Sequence, residues 1–247
     1  MAEWGSRHFD EGLSWLEEGS GEPLILIHGG LSSAADDWSI LGPLWARRGR
    51  RVIAPDLPCH GQSDGDIATL SHLGMYRSVR RLVDRLALAA PYDVVGWSLG
   101  ACLALHWLDE DPKSLNSLVL ISTNLFPDSQ SRRSALQLDA TRIRQRPELL
   151  RRLSAWRIGE QWPALTSRLS QLWEESPNFP TSILADCPGR PLLAVGDRDH
   201  LIGHEQLLDA TRTNANADLI VLPNVGHFVP HDPRAATLLL QAVSGVE

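Results

Sequence analysis

Lysine is nearly missing from this chain. Lys113 is the single one, so every other cation is an arginine, and the net charge of −7 leaves no basic footprint of the kind nucleic-acid binding needs. Cysteine is scarce as well. Cys59, Cys102 and Cys187 are odd in number, far apart and free of C-x-x-C spacing, which argues against a disulfide framework or a zinc cluster. No uninterrupted apolar run approaches the ~20 residues that a membrane span requires. The opening MAEWGSRHFDEG also lacks the basic-then-apolar order of a secretory signal. These absences point to a soluble, cytoplasmic chain with neither a nucleic-acid nor a membrane partner.

What is present is ordinary globular composition, 43% hydrophobic and 21% charged, at 247 residues. That length supports one main α/β domain. Short apolar runs bounded by turn residues recur at Pro23–Gly29, Arg50–Asp56, Tyr92–Ser98, Leu115–Thr123, Arg190–Asp197 and Ala217–Asn224, and they read as buried strands. Between them lie helix-period segments such as MYRSVRRLVDRLALAA and GACLALHWLDED, the second stopped by Pro112. Alternation of this kind predicts a mostly parallel sheet flanked by helices. The earlier RHFDEGLSWLEEGSGEP reads as an antiparallel edge hairpin.

One stretch breaks the pattern. From Asn124 to Asp186 no strand is evident, and helix-like pieces are punctuated by Pro147, Pro163, Pro177 and Pro180. It is too long for an ordinary loop, so it reads as a helical cap (124–186) inserted between two parts of a core (1–123 and 187–247). The cap holds nine arginines against seven acidic residues, in contrast to the acidic whole. Arg142, Arg144, Arg146, Arg151 and Arg152 crowd one helix-like stretch. Either they steer an anionic partner, or they form a solvated face paired with Glu148 and Glu160.

Gly96-Trp97-Ser98-Leu99-Gly100 fits G-x-S-x-G where a strand gives way to a helix. A nucleophile raised on so tight a turn needs small residues on either side to let strand and helix pass. The bland alternative is a serine N-cap with glycines nearby. A serine hydroxyl also needs a base and a group to orient that base. LPNVGHFVPHDP supplies His227 after a C-terminal strand, and AVGDRDHLIG supplies an acid, Asp197 or Asp199, at the end of the strand before it. The backbone N–H groups of Gly30, in LILIHGGLSS, and of Leu99 are candidates for an oxyanion hole. The Gly29-Gly30 pair fails as a P-loop because no Lys-Ser/Thr follows, and VVGWSLGA lacks the glycines of a dinucleotide fingerprint.

In the order HGG, APDLPCHGQSD, GWSLG, helical cap, GDRD and VGHF, the chain resembles the α/β-hydrolase superfamily over nearly its whole length. The resemblance implies the α/β-hydrolase fold and a triad of Ser98, Asp199 and His227. It also implies an oxyanion hole from Gly30 and Leu99, with no metal and no organic cofactor. Asp197 is then a loop-bracing residue. DLPCHGQS and GWSLG are also similar to the pimeloyl-carrier-protein methyl ester esterases of biotin synthesis, although Cys59 stands where that pattern has glycine. The expected activity is hydrolysis of a small-molecule carboxylic ester or thioester through an acyl-enzyme, with an acyl carrier protein as a candidate partner. A carbon–carbon hydrolase or cofactor-free lyase would use the same site, and a catalytically silent binding protein is a third reading.

Other residues carry structural expectations. Cys59 and Cys102 read as small buried side chains. His200 with His204, and His227 with His231, have H-x-x-x-H spacing, but Gly203 and Pro230 interrupt helices there and argue against zinc. His28 is expected to brace the oxyanion loop, Trp38 and Trp45 to fill the core from the first helix, and Trp97 to line the acyl pocket, with core packing as its alternative.

Overall fold

The structure, a computed structural model, describes residues 4–135, 140–174 and 178–244. Its strands are β1 (Ser6–Asp10), β2 (Leu13–Glu18), β3 (Glu22–Ile27), β4 (Arg50–Pro55), β5 (Tyr92–Trp97), β6 (Leu115–Ile121), β7 (Leu192–Gly196) and β8 (Asp218–Leu222). Among the described residues they form one eight-stranded sheet in the order β1-β2-β4-β3-β5-β6-β7-β8. The β1–β2 hairpin joins antiparallel at one edge, and every pairing from β4 to β8 is parallel.

The central strands are apolar on both faces because both faces are covered. Along β3, Ile25 and Ile27 pack on one side with Val79 and Val83 of helix α3 (His72–Arg85) and Leu103 and Leu105 of α4 (Leu99–Glu110). Leu24 and Leu26 face the other side, with α1 (Ala34–Asp37), α2 (Leu41–Arg47) and α10 (Pro233–Ser244). The two-residue period of a strand thus splits one run of sequence between two cores. Each fully buried Leu or Ile contributes about 2 kcal/mol, so together these positions dominate the folding free energy.

The expected first helix is two. Trp38 and Trp45 are both fully buried, as expected, but Trp38 caps the end of α1 and Trp45 lies in α2. Pro43 explains the break. It has no N–H for a helix running through from α1, yet it is tolerated in the first turn of a new helix, where the N–H groups are unpaired anyway.

Between β6 and β7 the described residues form α5 (Ser129–Ala135), α6 (Ala140–Arg144), α7 (Pro147–Ser154) and α8 (Trp162–Glu174), and α9 (His204–Thr213) follows β7. The arginine-rich stretch is therefore not one helix. Arg146 leaves the helical region, with ψ at 85°, before Pro147, which starts α7. Proline's ring excludes the helical region for the residue before it.

Strand order reverses beside β3, which has β4 on one side and β5 on the other. In an open parallel sheet such a reversal leaves a crevice at the carboxyl ends of the strands. The segments after β3, β5, β7 and β8 all emerge along this edge, and they carry Gly30, Ser98, Asp199 and His227.

Candidate active site

Ser98 occupies the N-cap position of α4, but its side chain caps nothing there. Its backbone is at φ 53°, ψ −114°, a conformation that non-glycine residues adopt only at a cost on the order of 1–3 kcal/mol. The glycines around it are sterically required. A Cβ on Gly96 would lie 2.4 Å from the Gly100 carbonyl oxygen, and one on Gly100 would lie 2.0 Å from that of Ile27. The bland reading of Ser98 as an N-cap is thereby set aside, because the turn lifts its hydroxyl away from the helix amides toward His227.

Ser98 Oγ is 3.0 Å from His227 Nε2, and His227 Nδ1 is 2.9 Å from Asp199 Oδ2. All three residues are buried. The Asp199 carboxylate also accepts from the amides of Leu201 at 2.9 Å and Ile202 at 3.1 Å. Burial by itself would raise this carboxyl. The His227 hydrogen bond and charge outweigh it, with help from the Leu201 amide and the Ser122 hydroxyl, and hold Asp199 below the usual carboxylate range. An ionised Asp199 accepts from His227 Nδ1, and Nε2 then faces Ser98 Oγ, where it can take the serine proton. Asp197, the competing acid, instead takes the Val225 amide at 3.2 Å and braces the loop that carries His227.

Gly30 and Leu99 line the same cavity as Ser98. They also lie close together, since a Cβ on Gly30 would come within 3.8 Å of the Leu99 Cβ. The loop carrying Gly30 is held from below. His28 is fully buried, and its Nε2 accepts the Leu57 amide at 2.9 Å while Nδ1 donates to the Gly29 carbonyl at 2.7 Å. Its bracing role follows from those two bonds. Asp37, also buried, accepts the Gly29 amide at 2.9 Å and the Ser32 hydroxyl.

Trp97 touches the cavity but is only 2% exposed. Its indole N–H donates to the His227 carbonyl at 3.0 Å, and its ring packs 5.5 Å from the imidazole. That makes it chiefly a support for the histidine loop. Cys102 also lines the cavity, and burial pushes its thiol up to about 11, so it stays protonated and a poor nucleophile near neutral pH. Cys59 is fully buried with φ 65°, which accounts for the glycine of the related pattern at that position. The spaced histidines diverge: His204 contacts the Gly196 carbonyl at 2.8 Å and His231 the Asp37 carboxylate at 3.1 Å.

The cavity above Ser98 measures about 320 Å³ and is mostly apolar, with Leu149, Leu169, Leu172 and Trp173 contributed by α7 and α8. Three contacts around it carry no local sequence signal. Phe228, 59% exposed, lines it beside His227. Arg152 of α7 donates to the Leu31 carbonyl at 3.1 Å. His231 reaches Asp37 across 194 residues of sequence. Among the described residues no helix is long and apolar enough to cross a membrane, and no group of three His, Cys, Asp or Glu side chains is arranged to hold a metal ion.

Comparison with known proteins agrees with this architecture. An esterase from Exiguobacterium antarcticum superposes with a TM-score of 0.77 over 98% of this chain and all of that one, at 19% identity, which is a likeness of fold. The dihydrolipoyllysine-residue acetyltransferase component of an acetoin cleaving system from Pseudomonas putida is 28% identical over 88% of this chain and 62% of its own length. A pimeloyl-[acyl-carrier protein] methyl ester esterase from Chromobacterium violaceum is 29% identical over 47% of this chain and 45% of its own. A 2-hydroxy-6-oxo-6-phenylhexa-2,4-dienoate hydrolase from Comamonas testosteroni is 34% identical over 44% and 39%. The chain thus spans less than two thirds of the curated relatives it matches. A family description, Alpha/beta hydrolase family, matches residues 24–238. Matched across most of its length, the chain belongs to the alpha/beta hydrolase family.

Proposed function

We propose that this chain is a serine hydrolase that cleaves a carboxylic ester or thioester through an acyl-enzyme. The observation that carries the reading is the continuous hydrogen-bonded path from Ser98 through His227 to Asp199, opening on an apolar cavity. Ser98 Oγ attacks the carbonyl carbon while its proton passes to His227 Nε2, and Asp199 stabilises the resulting imidazolium. The Gly30 and Leu99 amides hold the oxyanion of the tetrahedral intermediate. Collapse expels the alcohol or thiol, which takes the proton from His227. Water then attacks the acyl-enzyme by the same route, releasing the acid and restoring Ser98.

Residues 124–186 serve in this reading as a cap whose helices close the acyl pocket. The motif resemblance and the Chromobacterium relative favour a methyl ester of a carrier-linked acyl group, as in biotin synthesis, as one substrate. The three cysteines are free and buried, which suits a reducing cytoplasm. The Comamonas relative supports a second reading, hydrolysis of a carbon–carbon bond in a vinylogous diketone by the same residues. A fluorophosphonate probe followed by p-nitrophenyl esters of graded chain length tests the first. Labelling at Ser98 with ester turnover supports it. Turnover of diketones with inert esters favours the second, and no labelling at all removes both.

A further inference from the structure

The cavity above Ser98 is electropositive in an acidic protein. Arg142, Arg146 and Arg152 line it and, among the described residues, no Asp or Glu does, although the chain carries a net charge of −7. Ion pairs elsewhere show how arginines here are usually spent: Arg151 pairs with Glu148, Arg190 with Asp218 and Arg234 with Asp232. Arg152 is likewise engaged, with the Leu31 carbonyl and, at 3.6 Å, the Asp36 carboxylate. Arg142 and Arg146 differ. Both are exposed, both border the cavity, and among the described residues neither guanidinium has a carboxylate or side-chain hydrogen-bond partner. Glu148 pairs with Arg151, and among the described residues neither Glu148 nor Glu160 forms an ion pair with these two.

We propose that the substrate carries an anionic group, which Arg142 and Arg146 hold at the rim while its apolar part fills the cavity toward Ser98. The inference rests on the hydrolase reading for what happens at Ser98, but the anion site itself is a matter of binding. Guanidinium groups suit the role because they stay charged at every working pH and present paired N–H donors to a carboxylate or phosphate. Leu149, Leu169, Leu172 and Trp173 supply the apolar wall, so the best ligand is amphipathic. Two sources share this chemistry: an acyl chain ending in a free carboxylate, and the phosphate of a phosphopantetheine thioester.

The test is binding to Ser98→Ala protein, which does not require turnover. Three ligands are compared: the methyl ester of a medium-chain fatty acid, the monomethyl ester of the dicarboxylic acid of equal length, and an acyl-phosphopantetheine thioester. Each is titrated with and without Arg142→Gln and Arg146→Gln. At least one anionic ligand should bind roughly ten-fold more tightly than the neutral ester. The preference should vanish in the double variant and shrink at high salt. The anionic ligand with the larger arginine dependence identifies the source. Equal binding of neutral and anionic ligands, or a preference that survives both substitutions, overturns the proposal. Failure of the fluorophosphonate to label wild-type Ser98 overturns the hydrolase reading instead, and leaves the binding result to stand on its own.

Discussion

The Arg152 guanidinium, on helix α7, donates to the Leu31 carbonyl at 3.1 Å, one residue past Gly30. Leu31 is in the left-handed region at φ 53°, a conformation that leucine adopts only when its surroundings hold it there. The contact therefore ties α7 to the loop that carries Gly30, whose amide the proposed mechanism assigns to the oxyanion. Replacing Arg152 with Ala should lower kcat by about ten-fold with KM little changed, because an oxyanion donor acts in the transition state. Lysine, which cannot reach Leu31 and Asp36 together with a planar fork, should restore only part of the rate. A rise in KM at constant kcat would instead make Arg152 a substrate contact.

Ser98→Ala should abolish acyl transfer while the protein still folds. Ser98 makes no cap, and its left-handed backbone is already imposed on a side chain with a Cβ, so alanine adds no clash. By analogy with other triads the rate should fall on the order of 10⁴-fold or more. Steady-state ester hydrolysis beside a thermal melt is the check, and near-normal turnover by the folded variant would remove the mechanism.

The two acids should separate cleanly. Asp199→Asn removes the acceptor that fixes the His227 tautomer and should cost about 10⁴-fold in kcat. Asp197→Asn loosens only the bond to the Val225 amide, so it should cost about 1 kcal/mol of stability and far less than ten-fold in rate. Measuring both variants for turnover and melting temperature decides the assignment. Collapse of activity in Asp197→Asn alone would reverse it.

The strands and the site loops were legible because short-range chemistry dictates them: β-like runs buried on both faces, and a glycine-flanked serine that only one turn geometry accommodates. The same rules misjudged the first helix and the arginine stretch, where Pro43 and Pro147 divide what periodicity had joined. The choice of Asp199 over Asp197 needed the resemblance, since two residues of separation in a loop leave either carboxylate within reach. His231 with Asp37, and Arg152 with Leu31, were not legible at all. Each pair is created by the sheet topology and the placement of α7, not by any local pattern.

Acid should destabilise the protein well above the carboxylate range. Burial, with the nearby charge of His28, depresses the His60 imidazole to about 3 against the opposing hydrogen bond to the Pro58 carbonyl. Burial likewise lowers His72 to about 4, helped by the charges of His106 and Arg168. Both are neutral when folded but bind protons when unfolded once the pH drops below about 6.5. The unfolded state then holds more protons, and stability falls with pH by up to about 1.4 kcal/mol per unit for each histidine. The loss should begin near pH 6.5 and continue through about 4 for His72 and about 3 for His60. Asp199, held low by His227, adds a further loss only at the acid end. Urea unfolding at pH 7 and pH 5 should show the drop in wild type, and His60→Gln and His72→Gln should each flatten it whatever they cost at pH 7. A pH dependence unchanged in both variants would mean that other groups carry it.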